Sequence, residues 1–325
     1  TCPVRCDAAG YTALIGTGRY EEALSLIRLT MPLAGICGRV CDHPCETMCK
    51  RGDIDDPIAI ASLKRFASDW EAKQGTIAPP LFLEKPKAER VAVVGGGPAG
   101  LNAAYHLGRR GYPVTIFEAL PVIGGMLAVG IPDYRLPRKI LENDISFICQ
   151  HNVEIQKGRA LGRDFVISDL FHKGYKAVLL AIGAHLNQKM NIAGEDAQGV
   201  LPGIDFLRRV NLGERLDMGG KVAVIGGGNV AIDAARTALR LGAKEVTIIY
   251  RRTREEMPAN EEEIEEAEHE KIKILYLIAP TRIIVENGQV KGLECQRMEL
   301  GDFDPSGRCR PIPIKNSEFL MQVDT

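Results

Sequence analysis

The order of apolar and polar positions along this chain predicts the same local structure twice. A short apolar run over residues 91–94 leads into a glycine-rich turn, and Leu101, Ala104 and Leu107 then recur at helical spacing. A second apolar run follows over residues 114–117. Short apolar runs bounded by turn residues are typical of buried strands, and apolar positions three or four residues apart are typical of a helix. The pattern therefore predicts a strand, a helix and a second strand.

The turn between the first strand and the helix has the spacing G-x-G-x-x-G, and its residues are Gly95, Gly96, Gly97, Pro98, Ala99 and Gly100. In a dinucleotide-binding unit, the first glycine of this motif allows the tight turn, the second lets a pyrophosphate approach the backbone, and the third lets helix and strand pack closely. The second strand ends at Glu118, whose carboxylate can accept hydrogen bonds from a ribose diol. Bare glycine turns are common, but this order of strand, glycines, helix, strand and acid predicts a dinucleotide site at the helix N-terminus.

The same order of elements returns over residues 221–250, which indicates a second nucleotide-binding unit. Its turn residues are Gly226, Gly227, Gly228, Asn229 and Val230. The second strand of this unit is followed by Arg251 and Arg252, with no acid at the position that Glu118 has in the first unit. An arginine here suits a ribose 2′-phosphate, and two charge-assisted hydrogen bonds of about 1.5–3 kcal/mol each would favour NADPH over NADH by roughly two to four orders of magnitude. The alternative is a solvated basic pair at a strand end.

Six of the nine cysteines lie before residue 50, at positions Cys2, Cys6, Cys37, Cys41, Cys45 and Cys49. In a chain of this size, such clustering indicates metal ligation more than a secreted disulfide framework. The last four of these cysteines are each separated by three residues, which favours iron–sulfur ligation. Zinc, which prefers paired C-x-x-C knuckles, is the alternative.

Composition and length narrow the class of protein further. A chain of 325 residues exceeds what one hydrophobic core usually serves, so two or three domains are expected. The net charge is −1 without a basic stripe, which argues against nucleic acid as a partner. We find no apolar run of membrane-spanning length and no signal peptide, so we expect no membrane partner. The cysteine usage fits a reducing cytoplasm best.

With both glycine turns, the glycine-rich segment 124–132 and the cysteine region in this order, the chain resembles the glutamate synthase small-subunit family. That family includes NADPH-dependent ferredoxin oxidoreductases of the electron-bifurcating type and the N-terminal part of dihydropyrimidine dehydrogenase. The resemblance implies an α/β protein in which a helical iron–sulfur domain precedes two nested Rossmann-like domains of the flavin disulfide-reductase type. The implied boundaries are a helical domain over 1–75, a linker over 76–89, an FAD-binding domain over 90–195, an NAD(P)-binding domain over 196–310, and a truncated return to the FAD domain over 311–325.

The resemblance also implies the cofactor ligands. FAD would contact Gly95 to Gly100, Glu118, Gly125, Met126, Arg135 and Leu161. NADPH would contact the second glycine turn, Gly226 to Val230, with Arg251 and Arg252 on its phosphate. Of two [4Fe–4S] clusters, one would take Cys6, Cys41 and Cys45, and the other Cys2 and Cys49. Relatives place Gln or Glu near residue 64 as a further ligand of the first cluster. This chain has Lys64, a poor ligand, which makes Cys37 a candidate for the fourth position.

The implied reaction is hydride transfer from NADPH to the flavin N5, followed by single-electron steps through the clusters to a partner subunit or fused domain, with ferredoxin among the candidate acceptors. A glutamate synthase small subunit is an alternative within the family. A flavin disulfide reductase would carry a cysteine pair near residues 124–132, and none is present. The alternative of another class is a non-enzymatic, zinc-stabilised assembly module. Because relatives extend beyond both ends, we expect this chain to be a piece of a longer protein.

Overall fold

The computed structural model describes residues 2–75, 84–305 and 307–325. They form two compact units, Thr1–Ala184 and His185–Thr325. Most of the linker that we expected over residues 76–89 therefore lies outside the described residues. Among the residues described, no helix combines the length and the apolar character that crossing a membrane requires.

The first unit begins with a small bundle of helices that carries the clustered cysteines. Its helices are α1 (Ala8–Gly16), α2 (Tyr20–Arg28), α3 (Ala34–Val40), α4 (Pro44–Thr47) and α5 (Ile60–Gln74), with a 3-10 turn over Lys50–Asp53. Asp7 begins α1, because its side chain accepts a hydrogen bond from the N–H of Gly10 at 2.9 Å. The fully buried side chains of Tyr11, Leu24 and Ile27 form the centre of this bundle.

A parallel sheet forms the second part of the first unit. Its strands are β1 (Arg90–Val94), β2 (Val114–Glu118), β3 (Val153–Lys157) and β4 (Tyr175–Leu180), in the order β3-β2-β1-β4. The helices that follow them along the chain are α6 (Pro98–Arg109), α7 (Met126–Val129), α8 (Arg138–Cys149) and α9 (Ile167–His172). Val93, Leu101, Ile116 and Phe147 lie in one buried core between sheet and helices. This order places the predicted glycine turn and Glu118 on adjacent central strands, with both at the carboxyl edge of the sheet.

The helical bundle and the parallel sheet belong to the same unit because specific hydrogen bonds join them. Asp144, on α8, accepts hydrogen bonds from the N–H groups of Gly35 and Ile36 at the start of α3, at 3.4 and 3.0 Å. Tyr105, on α6, donates its hydroxyl to the carbonyl of Arg28 at 2.6 Å. The helical region, which we expected as a domain of its own, is therefore docked on the helices of the parallel sheet.

The second unit contains a three-stranded parallel sheet in the order β5-β6-β7. The strands are β5 (Lys221–Ile225), β6 (Glu245–Tyr250) and β7 (Lys273–Tyr276), and the helices of the unit are α10 (Gly203–Asn211), α11 (Asn229–Arg240) and α12 (Glu261–His269). The acidic stretch on α12 is not a plain solvated face, because Glu263 and Glu270 pair with Arg236 on α11 at 2.9 and 2.7 Å. These ion pairs fix α12 against α11.

Antiparallel strands complete the second unit. They are β8 (Ile278–Glu286), β9 (Gln289–Phe303), β10 (Cys309–Pro313) and β11 (Phe319–Gln322). β8 and β9 form a hairpin through Asn287 and Gly288, whose φ angles of 52° and 79° suit a type I′ turn. Residues 311–325, which we expected to return to the FAD domain, instead lie in this unit. There β11 pairs with β9, and the carbonyl of Thr325 accepts from Ala223 N at 2.9 Å.

Candidate cofactor sites

The first glycine turn joins β1 to α6 and leaves no room for side chains at its first and last positions. Gly95 has a φ of 107°, and a Cβ there would collide with the carbonyl oxygen of Ala181. A Cβ on Gly100 would collide with the carbonyl oxygen of Gly95. Both glycines are therefore required by the backbone itself, the first for the turn and the last for close packing of α6 on β1.

Gly97 differs from its neighbours because open space lies in front of it. A Cβ on Gly97 would meet only the Cα of Gly125, at 3.8 Å, whereas a Cβ on Gly125 would lie 2.7 Å from the Cα of Gly97. The two glycines thus face each other beside the N-terminus of α6. A dinucleotide pyrophosphate needs bare backbone and a helix N-terminus at this position. The turn therefore fits the predicted ligand by the space that it keeps open.

Glu118 ends β2 directly beside this turn. Its Oε2 accepts a hydrogen bond from the N–H of Gly96 at 2.7 Å, and its Oε1 accepts from Leu120 N at 2.8 Å. Each carboxylate oxygen can accept a further hydrogen bond, so the ribose diol that we predicted here would not displace these contacts. The side chain is 6% exposed, and its two backbone bonds hold it in one position.

The other residues predicted to contact FAD lie around the same edge of the sheet. Gly125 and Met126 begin α7, and the segment is held to the turn by Gly124 N, which donates to the carbonyl of Gly96 at 2.9 Å. Arg135 is half-buried in the turn before α8, and Leu161 follows β3 in a bridge with Phe165. The contacts of Arg135 and Leu161 with a flavin nucleotide stay predictions.

The second glycine turn repeats the arrangement of the first. A Cβ on Gly227 would lie 2.5 Å from the Tyr250 ring, whereas a Cβ on Gly228 would meet only Pro258, at 3.8 Å. Gly226 turns the chain with a φ of 139°, and the side chain of Asn229 accepts a hydrogen bond from Asn260 N at 3.0 Å. Gly228 therefore leaves space open beside the second turn, as Gly97 does beside the first.

A cavity of about 910 Å³ adjoins the second turn, within the size range of small-molecule sites. Gly226, Gly228, Asn229 and Val230 are among its lining residues, and Val230 is half exposed, at 46%. The second unit thus offers both a glycine turn and concave space beside it.

The two arginines after β6 have different surroundings. Arg251 is exposed, whereas Arg252 is 3% exposed. The guanidinium of Arg252 pairs with Asp304 at 2.6 Å and donates to the carbonyl of Cys309 at 2.7 Å. We expected both arginines to bind the nucleotide phosphate. In the structure, the guanidinium of Arg252 instead binds the hairpin between β9 and β10. Arg251 keeps a guanidinium available to a ligand.

Five of the six clustered cysteines share one environment at the centre of the helical bundle. Cys6 is buried in its core, with Cys2, Cys37 and Cys45 packed against it. Burial raises the pKa of Tyr11, and charges on Cys6, Cys45, Cys2 and Cys41 raise it further. Burial likewise raises the pKa of the Cys6 and Cys45 thiols, and raises that of Cys37 to about 12. Metal binding here must therefore displace protons.

The thiol of Cys49 has different surroundings from those of the buried thiols. Hydrogen bonds with the backbone of Ile58, Arg51 and Gly52 lower the pKa of its thiol. Cys2 and Cys49, which we expected to share a cluster, are therefore in different environments, and Cys2 lies with the other group. Their joint ligation of one cluster stays a prediction.

The cysteine group supplies donors of the kind that an iron–sulfur cluster takes. In the described part of the chain, no three Cys, His, Asp or Glu side chains converge on a point where one ion could bind. Thiolates that hold a [4Fe–4S] cluster each bind a different iron atom, so they surround a larger volume. The donor set, thiols grouped in a packed core, fits the cluster.

Two family matches agree with this geometry. Residues 89–302 match the pyridine nucleotide-disulphide oxidoreductase family. The chain belongs to that family. Residues 1–76 match the family described as dihydropyrimidine dehydrogenase domain II, 4Fe-4S cluster. These matches confirm the predicted α/β flavin-reductase fold, the cofactors FAD and NADP(H), and a 4Fe–4S domain at the N-terminus.

Curated relatives cover the whole chain. It is 48% identical over 330 residues to the NADPH-Fe(3+) oxidoreductase subunit beta of Geobacter sulfurreducens, covering 100% of this chain and 49% of the relative. It is 48% identical over 346 residues to the NADP(+)-dependent formate dehydrogenase subunit beta of Moorella thermoacetica, covering 99% of this chain and 49% of the relative. The chain thus spans about half the length of these relatives.

Two further comparisons bear on family and fold. The glutamate synthase [NADPH] small chain of Escherichia coli is 33% identical over 337 residues, covering 99% of this chain and 71% of the relative. This match confirms the family resemblance seen in the sequence. The structure of Mycobacterium tuberculosis FprA in complex with NADPH aligns with a TM-score of 0.64 and 20% identity, covering 73% of this chain and 69% of FprA. At that identity, the likeness shows the fold alone.

Proposed function

We propose that this chain is the NADPH-linked flavin and iron–sulfur module of a multi-subunit oxidoreductase. The observation that carries the proposal is the difference between the two nucleotide units. In the first unit, the strand after the glycine turn ends in Glu118, which suits a ribose diol, and in the second it is followed by the exposed Arg251, which suits a 2′-phosphate. One chain therefore offers a site for FAD and a different site for NADPH, and it also carries a helical region rich in thiols.

In this proposal the residues of the chain bind and orient the cofactors, and the cofactors carry out the redox chemistry. When bound, FAD can take a hydride from NADPH and release single electrons to an iron–sulfur cluster. Gly97 and Gly125 leave backbone open to the FAD pyrophosphate, and Glu118 fixes the adenosine ribose. In the second unit, Gly228 leaves backbone open to the NADPH pyrophosphate, and Arg251 selects the phosphorylated ribose. The described residues of the two turns contribute no acid or nucleophile to the reaction in this proposal.

The electrons leave toward a partner subunit, or toward a further domain of the same protein. Two relatives at 48% identity are named as beta subunits, which supports a partner. Ferredoxin is one candidate for that acceptor, and the acceptor of glutamate synthase is another. All nine cysteines are free thiols, which supports a reducing compartment such as the cytoplasm.

An anaerobic titration tests the proposal. The purified protein is expected to contain flavin and iron, and NADPH is expected to bleach the flavin absorbance and then reduce the cluster, as followed by low-temperature EPR. NADH at the same concentration is expected to do so far more slowly. A preparation that contains zinc and no iron, and whose flavin does not respond to NADPH, would instead support the assembly-module alternative.

A further inference from the structure

Lys64 is a buried lysine within the cysteine region. It lies on α5, where Ile60, Lys64 and Ala67 share one face by helical spacing, and it is only 4% exposed. Ile60 and Ala67 belong to the same packed core as Cys6. A long, charged side chain therefore lies among buried residues that are otherwise apolar apart from Ser68.

No carboxylate among the described residues pairs with Lys64. The acidic side chains further along α5 are taken by other partners: Asp69 pairs with Arg39 at 2.5 Å, and Glu71 with Arg28 at 2.6 Å. Lysine is rarely buried without an anionic partner, because its ammonium loses hydration that nothing else replaces. The burial of Lys64 therefore needs a negative group that the side-chain carboxylates do not supply.

The electrostatic neighbours of Lys64 are thiols from three separate parts of the helical region. Cys6 lies in the core that contains Ile60 and Ala67 from the same face of α5, and Cys37 and Cys45 pack against that core. In keeping with this packing, the positive charge of Lys64 lowers the pKa of all three thiols, whereas burial raises it. Lys64 thus lies where these segments meet. Free thiols in such surroundings are neutral, but thiolates bound to iron stay negative and would supply the missing anion.

Resting on the function proposed above, we infer that Lys64 is the counter-ion of the iron–sulfur site that includes Cys6, Cys41 and Cys45, and is not its fourth ligand. An ammonium has no lone pair to give to iron. It can, however, place a fixed positive charge beside a net-negative group. That charge stabilises the reduced form more than the oxidised form, so Lys64 raises the reduction potential of the site.

The test compares substitutions that keep or remove this charge. Lys64→Met preserves length and removes the charge, Lys64→Arg preserves the charge, and Lys73→Met removes an exposed lysine of the same helix as a control. Each purified protein is assayed for iron and acid-labile sulfide, and its cluster is titrated with a mediator series under EPR. Lys64→Met is expected to retain iron. At a fixed potential, its ratio of reduced to oxidised cluster is expected to be about tenfold or more lower than in the parent protein. Each tenfold corresponds to a reduction potential lower by about 59 mV for one electron.

The outcomes separate the roles. A lower potential in Lys64→Met, with parental values in Lys64→Arg and Lys73→Met, supports the counter-ion. Loss of iron in Lys64→Met alone also supports it, because the charge is then needed to assemble the site. An unchanged potential with full iron in Lys64→Met overturns the inference, as does loss of iron in both Lys64 variants, which would indicate ligation or a purely steric role. If the parent protein itself lacks iron, the proposed function fails first.

Discussion

The guanidinium of Arg252 is bonded to the carboxylate of Asp304, with 2.6 Å between Nη2 and Oδ2. Arg251 precedes it directly and is exposed. One arginine is thus buried in an ion pair and the other faces solvent, so the two do not offer the same guanidinium to a ligand. Arg252 fastens the end of β6 to the hairpin, and Arg251 is the residue that we propose for the 2′-phosphate.

We predict that Arg251→Ala raises the NADPH concentration needed for flavin reduction by about tenfold to a hundredfold and leaves NADH use unchanged. The reason is the loss of one charge-assisted hydrogen bond of about 1.5–3 kcal/mol, which only the phosphorylated cofactor can make. Stopped-flow reduction of the flavin with each cofactor measures both constants. An equal loss with NADPH and NADH would contradict the assignment.

Arg252→Ala serves as the matched control for this prediction. It leaves Asp304 without its buried partner, so we expect a loss of about 3 kcal/mol in stability. Because that loss is structural, any kinetic defect should affect NADPH and NADH alike. A defect with NADPH alone and an unchanged melting temperature would instead indicate that Arg252 binds the 2′-phosphate.

A second prediction concerns the open space at the first glycine turn. Gly97→Val should yield a folded protein that purifies without flavin, because the new side chain enters space that the structure leaves free for a pyrophosphate. The measurement is the ratio of flavin to protein together with the thermal unfolding midpoint of the flavin-free forms. A full complement of flavin in this variant would show that FAD does not bind in the first unit.

Gly100→Ala provides the contrast. Its Cβ would collide with the carbonyl of Gly95, so α6 must move away from β1 and stability should fall by about 1–3 kcal/mol or more. The two glycines lie in one motif, yet only the substitution of Gly97 is expected to abolish flavin binding while the protein still folds. Equal destabilisation by both substitutions would mean that the turn has no ligand-specific position.

Both glycine turns could be predicted from the sequence because their requirements are local. The collision that excludes a side chain at Gly100 comes from Gly95, five positions earlier in the chain. Glu118 was predictable for the same reason, since the strand, the turn and the acid form one continuous unit. The helical spacing of Ile60, Lys64 and Ala67 was also visible, and it could have indicated that Lys64 is buried.

Contacts between distant segments were not predictable in the same way. Asp304 lies 52 residues after Arg252, and no pattern near either residue indicates their pairing. Asp144 binds the start of α3 from 108 residues away. The pairing of β11 with β9 depends on which strand edge is free after folding. A single sequence carries no signal for these choices.

Asp144 leads to a prediction about pH. Burial raises the pKa of its carboxyl from 3.8 to about 6, although the N–H groups of Ile36 and Gly35 and the charge of Arg28 act in the opposite direction, with Glu71 raising it further. The folded state therefore binds this proton more tightly than the unfolded state does. The stabilisation is complete below about pH 4 and is lost as the pH rises through about 6.

The free energy of unfolding of the parent protein, minus that of Asp144→Asn, should therefore fall as the pH rises from about 4 to about 6. Urea unfolding followed by the fluorescence of Trp70, the single tryptophan, gives both values at each pH. Asn cannot titrate but can still accept a hydrogen bond at the start of α3. A difference that stays constant or increases over this range would show that the carboxyl is charged in the folded protein.

The final prediction concerns the cysteines of the helical bundle. Cys41→Ala should lower the iron content by one cluster and block electron exit, while NADPH still reduces the flavin, because the flavin site belongs to the sheet and not to the bundle. The fourth ligand is tested with Cys37→Ala. Cys37 shares the electrostatic surroundings of Lys64 and Cys41, so the variant should lose the same cluster if Cys37 ligates iron and keep it if Cys37 is only a packed thiol.

Cys149→Ala is the control for these two variants, because Cys149 ends α8, packs against the core between the parallel sheet and its helices, and lies outside the cysteine group. Iron analysis and low-temperature EPR of the dithionite-reduced proteins distinguish the cases. Cluster loss should also loosen the bundle, whose apolar core is small, as metal loss does in small metallo-domains. An iron count in Cys41→Ala equal to that of Cys149→Ala would refute ligation by this segment, whatever Cys37→Ala does.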